Sequence, residues 1–113
     1  MNLEFKERKF DLTFIDTWHV YGQLKRELLK FSKITKKYII MHDTTVDAEK
    51  GETMRLGLDS KKQSLESGYS IEEIECGLQK ALNEFLFTNR EWRVKEVFEN
   101  NNGLTVLERI FKE

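Results

Sequence analysis

The sequence predicts an α/β domain, and three observations support that prediction. A short apolar run over Phe10–Ile15 is followed by a stretch with apolar residues at helical spacing, and a second apolar run covers residues 38–41. A strand, a helix and a strand within about thirty residues are typical of a right-handed βαβ unit with parallel strands. Near the C-terminus, Asn101-Asn102-Gly103 supplies the residues that a hairpin turn needs between two further strands. The predicted order is β-α-β-loop-α-β-β, which closes with a C-terminal antiparallel hairpin.

The first half of the chain contains the βαβ unit. The run FDLTFI is aromatic and β-branched without a clear polar alternation, which predicts a strand buried on both faces. In residues 20–33, the apolar positions Val20, Leu24 and Leu28 recur with polar residues between them, as in an amphipathic helix. Residues 38–41 (YIIM) then predict a second strand, which ends at His42 and Asp43.

The second half begins with a long polar stretch. Residues 44–70 contain three glycines and exceed an ordinary connection, so we expect a functional loop, a lid or a mobile segment, with a disordered connector as the alternative. Ser70 and Glu73 then form a capping box that begins a helix, which the spacing of apolar residues extends to Phe85. Cys76 falls inside this helix as a buried small residue. Two strands follow, at residues 92–98 with an irregularity and at 104–110.

Composition excludes several classes of function. The 19 basic and 20 acidic residues nearly cancel, so we expect no nucleic-acid partner. The chain contains no apolar run of about twenty residues, so we expect no membrane span. Cys76 is the only cysteine, which fits a reducing, cytoplasmic compartment. At 113 residues, positions 1–113 form a single domain at most.

Ionisable residues follow both strands of the βαβ unit. Asp16 and His19 come after the first strand, and His42 and Asp43 end the second. In open α/β sheets ligands bind beyond the carboxyl ends of the strands, so these side chains form a candidate site. They can hold a divalent cation, Mg²⁺ by oxygen ligands or Mn²⁺ and Zn²⁺ with an imidazole, or His19 can act as a general base. Alternatively, Asp16 or Thr17 caps the following helix.

At these residues the sequence resembles the class I S-adenosylmethionine-dependent methyltransferases, in the branch of cephalosporin hydroxylase-like proteins and metal-dependent sugar O-methyltransferases. The matching stretches are FDLTFIDTWHVYGQLKRELLKF, KYIIMHDTT and GLQKALNEFL…EWRVKEVFENNNGLTVLERI. The resemblance implies a partial Rossmann-like methyltransferase sheet. It also implies that Asp16, His42 and Asp43 are metal ligands and that His19 is the catalytic base. His42 stands where the family has a carboxylate.

The chain departs from the family in the donor-binding half. Such methyltransferases begin with a strand, a Gly-rich turn and a helix, and this sequence has no G-x-G. We therefore expect a truncated domain that does not bind S-adenosylmethionine alone, and a homo-oligomer or a separate chain that completes the sheet. One functional alternative is an O-methyltransferase completed by that partner, acting on a small-molecule or sugar acceptor. Trp18 either stacks on a sugar ring at the mouth of the pocket or is a core tryptophan, and the core position is favoured. Another is a non-catalytic binding or oligomerisation module, and a third is a truncated gene product.

Overall fold

The computed structural model describes residues 10–110 as a single layer of sheet with helices packed against it. The elements are, in chain order, β1 (Phe10–Ile15), α1 (Tyr21–Ser32), β2 (Thr35–His42), α2 (Gly51–Leu56), α3 (Ser60–Ser67), α4 (Ile71–Ile74), α5 (Leu78–Thr88), β3 (Trp92–Phe98) and β4 (Leu104–Arg109). The predicted mixed α/β class is therefore confirmed. Within this described part, no helix combines the length and the apolar character that crossing a membrane requires.

The strands form one mixed sheet in the order β1-β2-β4-β3. β1 and β2 are parallel, as the βαβ pattern predicts, whereas β4 runs antiparallel between β2 and β3. The predicted hairpin turn is confirmed, since Asn101, Asn102 and Gly103 all have positive φ angles of 52°, 71° and 102°. The irregularity predicted in the third strand lies between Val94 and Glu96. This order places the ends of β1 and β2 side by side, next to the hairpin turn.

The core lies between the sheet and the two longest helices. Leu24 and Leu28 of α1 and Leu82 and Phe85 of α5 pack on one face of the sheet, against apolar side chains of all four strands: Ile15, Ile39, Met41, Trp92 and Leu107. Burial of such side chains stabilises the fold by roughly 1.5–3 kcal/mol each. The core therefore anchors the strand ends that carry the candidate site.

The prediction that β1 is buried on both faces was wrong. Phe10, Leu12 and Phe14 are about half exposed, at 51, 46 and 54%, and only Ile15 is buried. The physical reason is that β1 is an edge strand, and the helices of residues 10–110 pack on the face that Ile15 shares with the core. An apolar surface of this kind is normally buried against another part of a protein or against a partner. No residue among 10–110 covers Phe10, Leu12 and Phe14 in that way.

The prediction of a loop over residues 44–70 was also wrong, because two short helices form there. Gly57 and Gly68 terminate α2 and α3 in the left-handed conformation, with φ angles of 69° and 81°. The side chain of Asp59 accepts a hydrogen bond from Lys62 N–H at 3.1 Å and caps the start of α3. Asp47 and Thr53 are fully buried, so this segment is packed and not a disordered connector.

The helix predicted from Ser70 to Phe85 is broken into α4 and α5. The capping box is confirmed, since Ser70 and Glu73 each bond the other's backbone N–H. The break occurs at Gly77, whose N–H donates to Glu49 O at 2.8 Å and which packs against the backbone of Ala48. Cys76 lies in this break and is only partly buried, so its predicted place in a helix was wrong.

Candidate metal centre

The candidate site is centred on His19, whose side chain is 13% exposed and surrounded by carboxylates. Its Nε2 lies 3.1 Å from Asp16 Oδ1, and its Nδ1 lies 3.2 Å from Asp43 Oδ2. Nδ1 is also 3.3 Å from Glu52 Oε1 and 3.6 Å from Asp47 Oδ2. One imidazole thus contacts four carboxylates from three separate parts of the chain.

The parallel pairing of β1 with β2 brings the two strand ends together. Ile15 lies opposite Met41, so Asp16 and His42 follow at the same edge of the sheet. The backbone of His19 is then fixed by the start of α2 from two directions. Its carbonyl accepts the N–H of Glu52 at 2.8 Å, and its N–H donates to Glu52 Oε1 at 3.0 Å. The segment predicted as a loop therefore positions the central histidine.

Asp43 is held in an unusual backbone conformation. Its φ angle of 58° is left-handed, a region that Asp tolerates better than most residues but that still costs free energy. Its N–H donates to Gly103 O at 2.9 Å, and its carbonyl accepts the N–H of Asp47 at 3.1 Å. The hairpin turn and the following segment thus impose this conformation. Backbone strain of this kind is concentrated at functional sites.

The donor set fits a divalent cation. Asp16, His19 and Asp43 each offer one ligand atom, and these atoms all lie within 4.8 Å of one another. Asp43 Oδ1 is buried and accepts no hydrogen bond from residues 10–110, although His42 Nδ1 lies 3.2 Å away. A buried carboxylate oxygen without a donor is costly, and a cation would satisfy it. Two carboxylates with one imidazole suit Mn²⁺ or Zn²⁺ as well as Mg²⁺.

All four residues that the sequence predicted for the site lie together. His42 Nδ1 is 3.2 Å from Asp43 Oδ1 and 3.6 Å from Asp16 Oδ1, and its ring is tilted against Phe14 at 6.3 Å. The set with the ligand spacing nevertheless contains His19 in place of His42. The assignment of His42 as a ligand and His19 as the base stays a prediction.

The alternative that Asp16 or Thr17 caps α1 is wrong. Val20 is the N-cap, and no side chain within residues 10–110 accepts a hydrogen bond at that helix start. Thr17 Oγ1 instead donates to Glu27 Oε1 at 2.7 Å. Neither residue is therefore a helix cap. Capping of α1 does not explain why an aspartate follows β1.

The sequence did not predict that Asp47 and Glu52 lie at the cluster, although the resemblance implies that Glu52 belongs to a segment covering the acceptor site. Asp47 is fully buried, and both of its carboxylate oxygens accept hydrogen bonds from Arg55, at 2.6 and 3.2 Å. The hydrogen bond to Asp47 raises the pKa of the Arg55 guanidinium above its usual range. Both carboxylates occur in a polar stretch with no regular spacing, so only the packing of that stretch reveals them.

A cleft of about 320 Å³ opens beside Glu52. Its other lining residues are Trp18, Gln63, Glu66 and Ser67. Trp18 stacks on Tyr69, with ring centroids 5.8 Å apart, and its indole N–H donates to Thr53 Oγ1 at 3.1 Å. The tryptophan is therefore half-buried, with one side packed and another in the cleft.

Comparison with known proteins does not identify a family for this chain. No protein-family model matches the chain, and no curated protein matches it.

Proposed function

We propose that this chain is the acceptor- and cation-binding part of a methyltransferase-like protein, with a divalent cation held by Asp16, His19 and Asp43. The observation that carries the proposal is the buried Asp43 Oδ1, which accepts no hydrogen bond from residues 10–110 and belongs to a set of three closely spaced ligand atoms. The resemblance to metal-dependent sugar O-methyltransferases, in the stretches that contain these residues, supports the same conclusion.

In this proposal the two histidines exchange the roles that the resemblance implies for them. His19 is the ligand, because its ring is only 13% exposed and one of its nitrogens lies within 4.8 Å of the ligand oxygens of Asp16 and Asp43. His42 is 33% exposed and its Nδ1 lies 3.6 Å from Asp16 Oδ1 at the open side of the cluster, so it is the imidazole that an acceptor at the cation can reach. It accepts the proton of the acceptor hydroxyl, and the neighbouring Asp43 carboxylate stabilises the resulting imidazolium. A cation held by Asp16, His19 and Asp43 would supply Lewis-acid chemistry that favours deprotonation of the acceptor hydroxyl.

A polyhydroxylated acceptor suits the cleft beside Glu52. Trp18 provides an aromatic surface for the apolar face of a sugar ring. Gln63, Glu66 and Ser67 provide hydrogen-bonding groups around it. Because Glu52 both lines this cleft and contacts His19, an acceptor bound there reaches the cation cluster.

The methyl donor is assigned to another chain. Within residues 10–110, Gly22 and Gly51 each lie in a helix that follows a strand, but a Cβ atom there would meet Glu73 Cβ at 2.8 Å and His19 O at 2.9 Å, so this chain's own atoms already fill both close approaches. In this proposal a partner completes the sheet at the free edge of β1 and brings the donor with it. A second candidate function is a non-catalytic binding module that keeps the cation and acceptor sites, and the exposed apolar edge of β1 favours it because the edge also suits self-association. A single cysteine fits a cytoplasmic location for either function.

Calorimetric titration of the full chain with Mn²⁺ and with Mg²⁺ tests the cation site. We expect one bound cation, which Asp16→Asn and Asp43→Asn each abolish. Asp59→Asn is the matched control, because it removes a carboxylate far from the cluster in sequence while asparagine still caps α3. Equal binding by all variants, or no binding by the wild type, would leave only an ion-paired cluster.

Titration with S-adenosylmethionine separates the two functions. We expect no binding by the chain alone, because the donor site belongs to the partner. Tight binding in the absence of a partner would contradict this assignment of the donor site. Methyl transfer to a sugar after a partner is added would exclude the non-catalytic module.

A further inference from the structure

The outer side of β1 is an open sheet edge. β1 lies at the end of the order β1-β2-β4-β3, and no strand within residues 10–110 pairs with its outer side. Phe10, Leu12 and Phe14 alternate along the strand and are 46 to 54% exposed on one face. An unpaired, apolar strand edge is a template for pairing with another chain.

The opposite edge of the same sheet is protected against pairing. β3 carries Arg93, Lys95 and Glu96, and its extra residue between Val94 and Glu96 bends the strand. Charges and bulges are the usual protection of an exposed edge. β1 has only one charged residue, Asp11, and the irregularity in its pairing adds the extra residue to β2, so β1 stays regular. The two edges therefore differ as expected if β1 pairs with a strand of another chain and β3 does not.

We propose that β1 pairs with β1 of a second copy of this chain, antiparallel about a two-fold axis at Leu12. The segment Phe10-Asp11-Leu12-Thr13-Phe14 reads the same in both directions in apolar and polar character. In this register Phe10 faces Phe14 of the second copy, Leu12 faces its own symmetry mate, and Asp11 faces Thr13. Aromatic and apolar residues directly opposite each other stabilise a pair of strands, and no like charges meet.

Other registers are less favourable. Residues opposite each other in a sheet share a face, so a two-fold axis through the sheet must pass through a residue and not between two. An axis at Asp11 places two carboxylates opposite each other, which is destabilising. An axis at Thr13 leaves Phe10 without an aromatic partner and places Asp11 opposite Ile15. Of the three central positions of β1, Leu12 is therefore the most favourable for the axis.

The backbone supports the same register. The N–H of Phe10 donates to Ile34 O at 3.3 Å, on the side of β2. Since backbone groups alternate along a strand, those of Asp11 and Thr13 point to the free edge and bond to the second copy. Leu12 and its symmetry mate then form a non-hydrogen-bonded pair, the type in which the Cα atoms are about 4.5 Å apart and the side chains are closest.

This dimer has a consequence for function. The paired edge is no longer available to a strand from a donor-binding chain, so the dimer favours the non-catalytic binding module over methyl transfer. Asp16 lies four residues from Leu12, so antiparallel pairing separates the two cation sites by roughly 26 Å along the strand direction. The inference rests on β1 and not on the cation cluster, and each can fail without the other.

Light scattering and sedimentation equilibrium of the full chain test the association. We expect a dimer, which Leu12→Glu weakens by about tenfold or more because two carboxylates then meet at the axis. Val97→Glu is the matched control, since Val97 is a 54% exposed residue on the protected strand β3, and we expect its dimer to be unchanged. Circular dichroism verifies that each variant is folded, and Mn²⁺ titration of Leu12→Glu verifies that the cation site is unaffected.

Disulfide cross-linking tests the register. In a Cys76→Ser background, Leu12→Cys places two thiols opposite each other within reach of a disulfide, so we expect a covalent dimer on oxidation. Phe10→Cys is the control and does not cross-link, because Phe10 faces Phe14. A monomeric wild-type chain, a dimer that Leu12→Glu leaves intact, or equal cross-linking of both cysteine variants would overturn the proposal.

Discussion

Substitution of Gly77 by alanine tests whether the polar segment before α2 is a structural part of the fold. A Cβ atom on Gly77 would overlap with Ala48 O and would lie 2.5 Å from Asp47 O. Both are backbone atoms, so a flexible side chain cannot move aside to relieve the contact. The variant must separate α5 from the segment that also carries the buried Asp47.

The expected loss in the free energy of unfolding follows from the contacts that break when α5 moves away from this segment. Three backbone hydrogen bonds join the two segments, Gly77 N–H to Glu49 O at 2.8 Å, Leu78 N–H to Asp47 O at 2.9 Å and the N–H of Gln79 to the Ala48 carbonyl at 3.0 Å. Each contributes about 1 kcal/mol net, and the overpacking adds about 1–3 kcal/mol. We expect a loss of about 5 kcal/mol, which lowers the Tm by roughly 20 °C in a domain of this size.

Gly68→Ala is the matched control. Gly68 has a φ angle of 81°, but a Cβ atom there meets nothing within 4 Å. Its replacement costs only the left-handed conformation, about 1 kcal/mol. Urea and thermal unfolding measured by circular dichroism compare the two variants. If Gly77→Ala is no less stable than Gly68→Ala, the reasoning that α5 is capped by this segment is refuted.

Three further substitutions test the cluster and its supports. Asp43→Gly removes a left-handed aspartate and a buried oxygen without a donor, so thermal unfolding in EDTA should show a gain of about 1 kcal/mol together with loss of cation binding. Arg55→Met removes the guanidinium partner of the fully buried Asp47 and leaves it only the His19 imidazole at 3.6 Å, so it should cost about 3 kcal/mol in urea unfolding. A loss below about 1 kcal/mol would show that the ion pair of Arg55 with Asp47 contributes little to stability. The hydrogen bond from the Ser70 backbone lowers the pKa of Glu73 from 4.5 to about 2, so its stabilisation is complete above about pH 4.5 and is lost as the pH falls towards 2. Glu73→Gln should therefore remove about 1 kcal/mol at pH 6 but little at pH 2, and a loss independent of pH would exclude this titration.

The sequence predicted the candidate site because the relevant constraint is local. Two parallel strands end at the same edge of a sheet, so residues that follow each strand must meet there. Asp16, His19, His42 and Asp43 satisfy that constraint, and the structure brings all four together. The hairpin was equally predictable, because Asn101-Asn102-Gly103 is a local turn signal.

The helices of residues 44–70 were missed for a physical reason. α2 and α3 have six and eight residues, and α3 buries no side chain, so neither shows the apolar periodicity that predicts a helix. Their signals are the capping Asp59 and the terminal glycines Gly57 and Gly68. The break at Gly77 was missed because it depends on a contact with Ala48, nearly thirty residues away, which apolar spacing cannot reveal.

The partners of the four carboxylates around His19 distinguish a cation site from a simple ion-paired cluster. Asp47 is satisfied by Arg55, and Glu52 accepts the backbone N–H of His19. Within residues 10–110, the carboxylates of Asp16 and Asp43 instead contact only the imidazoles of the two histidines. Asp16 and Asp43 thus have neither a permanently charged partner nor a backbone donor among the described residues. These are the same two carboxylates that lie at ligand spacing with His19. A protein that needed only to neutralise buried charge would pair these two as it pairs Asp47, so their availability favours an exchangeable cation as the missing partner.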